Sequence, residues 1–364
     1  MDLPFTSLVS QLPSTIPFVG PESLERQMGH PFEARVGANE SAFGVSPVAA
    51  IAMRKAVDQL AWYSDPENFD LRSALATHHG VRPEEIAISA GIDDLLGLAV
   101  RAFVEPGQIA VASLGAYPTF IYHVNGFGCG LSSAPYRDGR NDLEALADLA
   151  QHPDVRLVYL SNPDNPTGTW HKASEIRQLI QALPKHCVFI LDEAYTEFAP
   201  DDATPDIHPI HPRTMRMRTF SKAHGMAGAR VGYAICPAAI ASGFDKIRLH
   251  FGVNRIAQVG AAASLTHTAF VSDVVKQVET GRDAYVSLAA DLGLLTLPSA
   301  TNFVTFDAGS AERADAILER LIENRVFVRK PRVEPLDRYF RVTVGRKDER
   351  GVFAERLREI VKGT

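Results

Sequence analysis

The sequence predicts an α/β fold, in which a mainly parallel sheet is covered by helices on both faces and a smaller α+β domain is attached. Three observations support this class. Short apolar runs alternate with helix-like segments over much of the chain, as they do in sheets of parallel strands. Several of these runs end in turns that contain glycine or proline. The length of 364 residues, with 46% hydrophobic and 22% charged residues, suits a globular chain with a large core.

The first half of the chain supplies most of the predicted sheet. After an arm rich in proline, serine and phenylalanine, residues 47–60 and 71–79 have helical composition and spacing, and 85–89 read as a short strand. The predicted elements that follow are a helix at 93–104, a strand at 109–113, an extended segment from about 130, a helix at 141–150, a strand at 155–161, a helix at 173–183, and strands at 188–191, 214–220 and 231–236.

The pattern changes after about residue 254. Residues 256–292 form long helical runs rich in alanine and valine. The rest reads as a strand at 302–306, a helix at 311–324, strands at 326–329 and 340–344, and a charged final helix. We therefore predict an N-terminal arm with part of a small domain (1–45), a large cofactor-binding domain (46–265) and a small C-terminal domain (266–364). The cleft between the two domains is the expected ligand site.

Charge and composition exclude several classes of function. The chain has 37 basic and 43 acidic side chains and a net charge of -6, so we expect no nucleic-acid partner. Neither a secretory signal nor an apolar stretch of about 18 residues is recognisable, which predicts a cytoplasmic protein with no membrane partner. Three dispersed cysteines without a CxxC spacing indicate packing residues, and no metal site is predicted.

Lys222 lies in the most informative segment, residues 218–230. Small and apolar residues surround this amine, and a desolvated lysine is the nucleophile that forms Schiff bases with carbonyl groups. Arg230 follows eight positions later and offers a planar set of donors suited to phosphate. Together they point to pyridoxal phosphate, an aldehyde cofactor that carries a phosphate. Taken alone, a Ser-Lys pair is more often an ordinary surface feature.

Two polar positions follow other apolar strands. Asp192 comes directly after the strand at 188–191, where open α/β sheets bind ligands, and a carboxylate there can keep a pyridine nitrogen protonated. Its alternative interpretation is a helix N-cap. Asn165 lies in a rigid turn with two prolines and a glycine, and its amide can donate to a phenolic oxygen. Sites at the ends of successive strands can converge with Lys222.

A phosphate site and an aromatic platform are further candidates. Gly91, Ile92 and Asp93 lie between a strand and a helix, where free backbone N-H groups attract phosphate. Tyr117 follows another strand and could stack on a flat heterocycle. The alternatives are an ordinary helix start and a core aromatic residue.

These segments together resemble the fold type I, class I/II aminotransferases, and most of all the histidinol-phosphate aminotransferase branch. The resemblance rests on Asn165-Pro166-Thr167-Gly168, Asp192 with Tyr195, Ser221-Lys222 and Arg230, and it extends to residues 37–41, 63–66 and 339–345. It implies a seven-stranded sheet, pyridoxal 5'-phosphate as cofactor and a homodimer. Transfer of an amino group between an amino acid or amino-alcohol phosphate and a 2-oxo acid is the activity it implies.

The resemblance also implies a role for each matching residue. Lys222 would bind the cofactor aldehyde and move the proton, Asp192 would pair with the ring nitrogen, and Tyr195 would contact the ring oxygen. The other implied cofactor contacts are Asn165 at the ring oxygen, Tyr117 on the ring face, Gly91, Ile92, Asp93, Thr219, Ser221 and Arg230 around the phosphate, and Tyr63 from the partner subunit. Substrate would be held by Asn39, Arg329 and Arg341, although Arg329 could equally be a solvated charge.

Some positions depart from the pattern of this family. Ile92 replaces a small or hydroxylated residue, Phe18 stands where biosynthetic enzymes carry a tyrosine, and His224 replaces an aromatic residue. Residues 250–252 replace a Pro-aromatic-Asn turn. We expect these changes to bear on substrate choice. A decarboxylase of the threonine-phosphate type shares the scaffold and remains the alternative activity, and a non-catalytic regulatory protein is a third hypothesis.

Overall fold

The computed structural model of the protein describes residues 3–13 and 19–363. The departure predicted at Phe18 lies outside the described residues. The strands are β1 Ala34–Arg35, β2 Ile86–Ser89, β3 Ile109–Ser113, β4 Gly130–Ala134, β5 Tyr136–Arg137, β6 Arg140–Asn141, β7 Val155–Ser161, β8 Val188–Asp192, β9 Thr214–Thr219, β10 Gly232–Ile235, β11 Leu295–Thr296, β12 Phe303–Asp307, β13 Val326–Phe327 and β14 Tyr339–Thr343.

The α-helices fill most of the segments between these strands. They are α1 Ser7–Gln11, α2 Pro21–Met28, α3 Pro47–Ala56, α4 Phe69–His79, α5 Ile92–Phe103, α6 Pro118–Gly126, α7 Leu143–Leu149, α8 Ala173–Ala182, α9 Ala238–Asp245, α10 Arg255–Leu265, α11 Thr268–Asp291, α12 Ala311–Glu323 and α13 Lys347–Lys362. In the described part of the chain, no helix is both long enough and apolar enough to cross a membrane.

Seven strands form the main sheet in the order β2-β10-β9-β8-β7-β3-β4. Strands β9, β8, β7, β3 and β4 pair in parallel, whereas β10 runs antiparallel to both β9 and β2. The α/β class and the mainly parallel sheet are thus confirmed. The connection from β9 to β10 contains a 3-10 turn over Ala227–Ala229 and no α-helix, whereas a parallel return usually uses a crossover helix.

Burial of the central strands explains their apolar sequences. The residues of β8 after Val188 are buried, as are all of β7 except Arg156, because helices cover both faces of the sheet. Helix α5 packs Leu95, Leu96 and Val100 into the core on one of these faces. The carboxyl ends of β7, β8 and β9 are therefore held side by side by a rigid core.

A second, three-stranded antiparallel sheet has the order β11-β12-β14 and belongs to the smaller domain. Its core contains Phe303, Phe306 and Phe340, with Tyr285 from α11 and Phe353 from α13. Strand β1 pairs in parallel with β13, which attaches the segment before Asn39 to this second core. The domain boundaries predicted at 45 and 265 stay predictions.

The structure differs from the predicted elements in a few places. The helix predicted at 47–60 ends at Ala56 and continues as a short 3-10 turn over Val57–Gln59. The helical run 256–292 is divided between α10 and α11, where the His267 ring hydrogen-bonds to Ser46 over 2.8 Å and the backbone leaves helical geometry. The hairpin of β5 and β6 was missed, although its two-residue turn, Asp138-Gly139, is a recognisable hairpin signal.

Candidate active site

Asp192 is the last residue of β8, and its carboxylate lies at the carboxyl edge of the main sheet. The Tyr159 hydroxyl donates a hydrogen bond of 2.8 Å to its Oδ2, and the Ala194 N-H donates one of 3.0 Å to its Oδ1. Burial raises the pKa of Asp192 to about 6, although both hydrogen bonds act in the opposite direction. The group is therefore an anion at neutral pH inside an apolar core, and it suits a cationic partner.

Lys222 lies in the turn after β9. Its Nζ donates a hydrogen bond of 3.1 Å to the main-chain carbonyl of Asn39 and lies 5.6 Å from the centre of the Tyr195 ring. Burial lowers the pKa of Lys222 to about 8, and the positive charge of Arg341 lowers it further. A neutral amine is thus available close to neutral pH, as a nucleophile or general base requires.

Asn39 presents its backbone to this lysine in an unusual conformation. Its φ of 56° lies in the left-handed region, which asparagine tolerates better than most residues. The hydroxyl of Thr343 accepts a hydrogen bond from the Asn39 N-H (2.9 Å) and donates one to its Oδ1 (3.1 Å). The Asn302 amide donates to the Asn39 carbonyl over 3.1 Å. Thr343 at the end of β14 and Asn302 just before β12 thus fix the residue that meets Lys222.

Tyr195 follows β8 and is almost fully buried. The Asn39 amide donates a hydrogen bond of 2.9 Å to its hydroxyl, and its ring packs edge-to-face on Phe303 at 5.5 Å. Burial raises the pKa of Tyr195 to about 12. The phenol therefore keeps its proton at neutral pH and can donate it to an oxygen in the cleft.

Arg341, in β14, faces the turn that carries Asn165. One Nη of the guanidinium donates to the Asn165 side-chain oxygen and the other donates to the Gly37 carbonyl over 3.3 Å. Within the described residues, its buried Nε has no hydrogen-bond partner. Burial lowers the pKa of Arg341 to about 10, which still leaves it charged at neutral pH. A buried cation with an unused donor is suited to an anionic ligand.

Arg329 is the backbone neighbour of Arg341 through an isolated antiparallel bridge. Its Nη2 donates a hydrogen bond of 2.9 Å to the Val19 carbonyl, and its guanidinium lies 5.3 Å from the centre of the Phe327 ring. Burial lowers the pKa of Arg329, and the charge of Glu40 opposes this shift. The side chain therefore connects the segment before α2 with the strand that carries Arg341.

Gly91 and Arg230 meet at the start of α5. Gly91 has a φ of 93°, and a side chain there would place its Cβ 2.6 Å from an Arg230 Nη. Arg230 forms an ion pair with Asp93 over 3.1 Å, and α5 begins at Ile92 without an N-cap side chain on its first N-H groups. A helix start beside a guanidinium is a favourable site for a phosphate.

The remaining predicted cofactor contacts lie around this site. The Ser221 N-H donates to the Thr219 hydroxyl over 3.0 Å, just before Lys222. Tyr117 precedes α6, and burial raises the pKa of its phenol, with a further contribution from the Asp93 carboxylate. The ring of Tyr117 is thus close to the start of α5.

Tyr63 has a different environment from the other predicted residues. Its side chain is 78% exposed, and its ring stacks on Phe251 at 4.6 Å. Arg255 donates a hydrogen bond of 2.6 Å to the Tyr63 carbonyl. A single chain therefore leaves this tyrosine on the outer surface.

His224 occupies the core beneath the Lys222 turn. Its Nδ1 hydrogen-bonds to the Ser264 hydroxyl over 2.7 Å, and its ring lies 4.8 Å from that of Phe220. Burial lowers the pKa of His224 to about 4, so the ring is neutral. Our expectation that His224 bears on substrate choice finds no support, because its contacts are with core residues.

Three residues of the site were not found from the sequence. Tyr159, Asn302 and Thr343 contact Asp192 or Asn39 through side-chain hydrogen bonds. The one available signal was a tyrosine hydroxyl within the apolar strand β7. Its partner depends on register: Tyr159 pairs with Ile190, which places Asp192 at the diagonal position of the neighbouring strand.

The donor set fits the predicted cofactor, pyridoxal 5'-phosphate. A buried carboxylate that is charged at neutral pH can meet a protonated ring nitrogen, and the phenol of Tyr195 can donate to the ring oxygen. An amine with a lowered pKa can bind an aldehyde. The close approach of Gly91 to Arg230 leaves a backbone edge beside a cation for the phosphate.

Comparison with known proteins gives one consistent result. The family described as aminotransferase class I and II matches residues 34–357. The histidinol-phosphate aminotransferase 2 of Carboxydothermus hydrogenoformans is 33% identical over 351 residues, with 94% of each chain covered. The histidinol-phosphate aminotransferase 1 of Dechloromonas aromatica is 35% identical over 339 residues, with 92% of each chain covered.

A solved structure extends the similarity to three dimensions. The histidinol-phosphate aminotransferase of Sinorhizobium meliloti, in complex with pyridoxal-5'-phosphate, has a TM-score of 0.96 and 46% sequence identity. The match covers 100% of this chain and 99% of that one. The similarity therefore includes both sheets and the cleft between them.

Proposed function

Because the chain belongs to the class I and II aminotransferase family, we propose that it moves the amino group of histidinol phosphate, an amino-alcohol phosphate, to a 2-oxo acid. The observation that carries the proposal is the buried Lys222 amine, whose Nζ donates to the Asn39 carbonyl. The charge of Asp192 favours the ammonium form of Lys222, and the charge of Arg341 favours the neutral amine. Two relatives named histidinol-phosphate aminotransferase, each of which matches more than nine tenths of the chain, support the choice of substrate.

Pyridoxal 5'-phosphate, the cofactor predicted from the sequence, is confirmed by family membership together with the similar Sinorhizobium structure. When bound, it withdraws electrons from the substrate carbon that loses a proton. In our proposal Lys222 binds its aldehyde carbon, Asp192 faces the ring nitrogen, and Asn165 and Tyr195 face the ring oxygen. Tyr117 covers one ring face, and the phosphate lies among Gly91, Ile92, Asp93, Thr219, Ser221 and Arg230.

Lys222 supplies the acid-base chemistry in this proposal. With a pKa of about 8, part of the amine is neutral at physiological pH and can accept the proton from the substrate Cα. The ammonium form of Lys222 would then hold this proton within the site. The Asn39 carbonyl, 3.1 Å from Nζ, can accept a hydrogen bond from the amine in either state and hold it in the site.

Arg341 is our candidate for the anionic end of the substrate. Its buried charge and the unused Nε favour a phosphate or a carboxylate, and Arg329 adds a second guanidinium on the neighbouring chain segment. Asn39 would also contact the substrate. The same arginine pair can serve the phosphate of the amino donor and a carboxylate of the 2-oxo acid in turn.

We also propose a homodimer in which Tyr63 reaches the phosphate of the partner's cofactor. The segment around Tyr63 exposes several large apolar side chains, which are Val48, Ile51, Val57, Leu60, Trp62, Leu249 and Phe251. Exposed apolar surface of this kind is typical of a subunit interface. The cytoplasmic location of the protein stays a prediction from its sequence.

One experiment tests the reaction directly. The protein loaded with pyridoxal phosphate is mixed with histidinol phosphate in the absence of any 2-oxo acid. We expect the cofactor to be converted stoichiometrically to its amine form, with recovery when 2-oxoglutarate is added. An amino-acid phosphate that releases carbon dioxide without this conversion would instead support the decarboxylase. Conversion by other amino acids but not by histidinol phosphate would overturn the proposed substrate and leave the aminotransferase chemistry.

A further inference from the structure

Tyr159 is the side chain that contacts the Asp192 carboxylate from β7. Its hydroxyl donates to Oδ2 over 2.8 Å, while Oδ1 accepts from the Ala194 N-H over 3.0 Å. Each oxygen of the carboxylate thus has one donor, and a carboxylate offers about four acceptor positions in all. Acceptor positions therefore remain for a ring nitrogen.

The tyrosine has little freedom to leave this carboxylate. It is 1% exposed, and its ring stacks on Phe120 with the centres 4.6 Å apart and the planes 15° from parallel. Phe120 lies in α6, close to Tyr117, which we place on the cofactor ring. The register of β7 and β8 fixes the other end of the contact. Strand, helix and stacked ring together aim the hydroxyl at Oδ2.

The charges around Asp192 show what the hydroxyl does. Burial favours the neutral acid, and the Asp93 carboxylate acts in the same direction. The Tyr159 hydroxyl, the Ala194 N-H and the charge of Lys222 favour the anion. Burial and the charge of Asp192 raise the pKa of Tyr159 well above its usual value, so this phenol remains a donor throughout the working range.

We propose that Tyr159 is a positioning residue, whose hydroxyl holds Asp192 in place and keeps its carboxylate ionised towards the ring nitrogen of the cofactor. The proposal rests on the function proposed above. Tyr159 touches neither substrate nor cofactor in this account and acts through Asp192. Its effect should therefore depend on pH, because it matters most where Asp192 is close to half-protonated.

The test compares Tyr159→Phe with the matched control Tyr233→Phe. Tyr233 is also buried and also loses a 2.8 Å hydrogen bond, but its partner is His79. The dissociation constant of pyridoxal phosphate is measured on cofactor-free protein between pH 5.5 and 8.5, and kcat/KM is measured over the same range. For Tyr159→Phe we expect the acidic limb of both pH profiles to move up by about one pH unit. Cofactor affinity and kcat/KM should then fall about fivefold at pH 6 and less than about twofold at pH 8.5.

Two outcomes would overturn the proposal. One is an acidic limb that does not move, and the other is a loss of affinity that is equal at all pH values or is matched by Tyr233→Phe, which indicates packing alone. If Tyr159→Phe fails to fold, 3-fluorotyrosine at position 159 provides the second variant. Its more acidic phenol is a stronger donor and should move the limb down. A wild-type protein that binds no pyridoxal phosphate would refute the proposed function itself, which is a distinguishable result.

Discussion

The amine of Lys222 donates a hydrogen bond of 3.1 Å to the main-chain carbonyl of Asn39, a residue 183 positions earlier in the chain. Asn39 is held in turn by Thr343 and Asn302, at the ends of two strands of the second sheet. The smaller domain therefore determines where the reactive lysine of the main sheet finds its acceptor. Activity should be sensitive to changes in the smaller domain that leave the cofactor contacts intact.

Thr343→Val tests this connection. The change removes both hydrogen bonds between the Thr343 hydroxyl and Asn39 while retaining the shape of the side chain. We expect kcat/KM to fall about tenfold, which corresponds to the loss of about 1.4 kcal/mol of hydrogen bonding. Thr214→Val is the control. It also loses a buried hydroxyl contact, with His211, but Thr214 begins β9 at the end away from Lys222. Equal effects of both variants in steady-state kinetics would argue against the connection.

Asp192→Asn should lower the activity of the enzyme and raise the stability of the cofactor-free protein. In the folded protein the pKa of Asp192 rises from 3.8 to about 6, so the folded state disfavours the anion. The ionised Asp192 carboxylate therefore lowers the free energy of unfolding. This effect is absent below about pH 4, grows between about pH 4 and 6, and is complete above about pH 6. Cofactor-free Asp192→Asn should therefore be more stable than wild type at pH 8 by about 1 to 3 kcal/mol, with a smaller difference at pH 5.

Denaturant unfolding of both cofactor-free proteins at the two pH values provides this measurement. The same variant should lose at least about a hundredfold in kcat, because a neutral amide cannot keep the ring nitrogen protonated. A variant that is less stable than wild type at pH 8 would contradict the burial argument. Retained activity would contradict the role of the carboxylate.

Gly91→Ala should weaken cofactor binding by crowding Arg230. A Cβ at this position would lie 2.6 Å from the guanidinium, and the φ of 93° adds backbone strain. Gly107→Ala is a matched control, because its φ of 89° carries similar strain and nothing lies within 4 Å of the new Cβ. Fluorescence titration should show a dissociation constant for pyridoxal phosphate at least about tenfold higher in Gly91→Ala than in the control.

Arg341→Met should remove the preference for a phosphorylated amino donor. The guanidinium is the buried cation that we assign to the anionic end of the substrate, so kcat/KM for histidinol phosphate should fall about a hundredfold or more. The value for histidinol, which lacks the phosphate, should change much less. Arg338→Met is the control, since Arg338 is a partly exposed arginine paired with Asp307. An equal loss with both donors would place the phosphate elsewhere.

Tyr63 provides a test of the shared site. Tyr63→Ala and Lys222→Ala should each be nearly inactive as separate proteins. If Tyr63 acts across the interface, dimers formed from both variants contain one intact site, and random mixing should restore about a quarter of the wild-type activity. The mixture is refolded together and assayed next to each variant refolded alone. No recovery in dimers that have verifiably exchanged subunits would place Tyr63 outside the partner's site.

The fold could be predicted, and the candidate site residues proposed, because their signals are local. A carboxylate after an apolar strand, as at Asp192, and a glycine before a helix, as at Gly91, have recognisable patterns in the chain itself. The alternation of strands and helices likewise predicted the sheet. These features depend on neighbouring residues more than on distant ones.

The residues that the sequence analysis missed depend on tertiary packing. Tyr159 reaches Asp192 because of the register between β7 and β8, and Asn302 reaches Asn39 from 263 positions away in the chain. The environment of His224 was also beyond a local pattern, since its partner Ser264 lies 40 positions away in α10.

The most direct test of the account is the identity of the residue that binds the cofactor. The protein loaded with pyridoxal phosphate is reduced with borohydride, digested and mapped by mass spectrometry. We expect a single modified peptide with the label on Lys222, and no label in Lys222→Ala. A label on another lysine, or labelling that persists in Lys222→Ala, would contradict the assignment of Lys222 as the reactive amine.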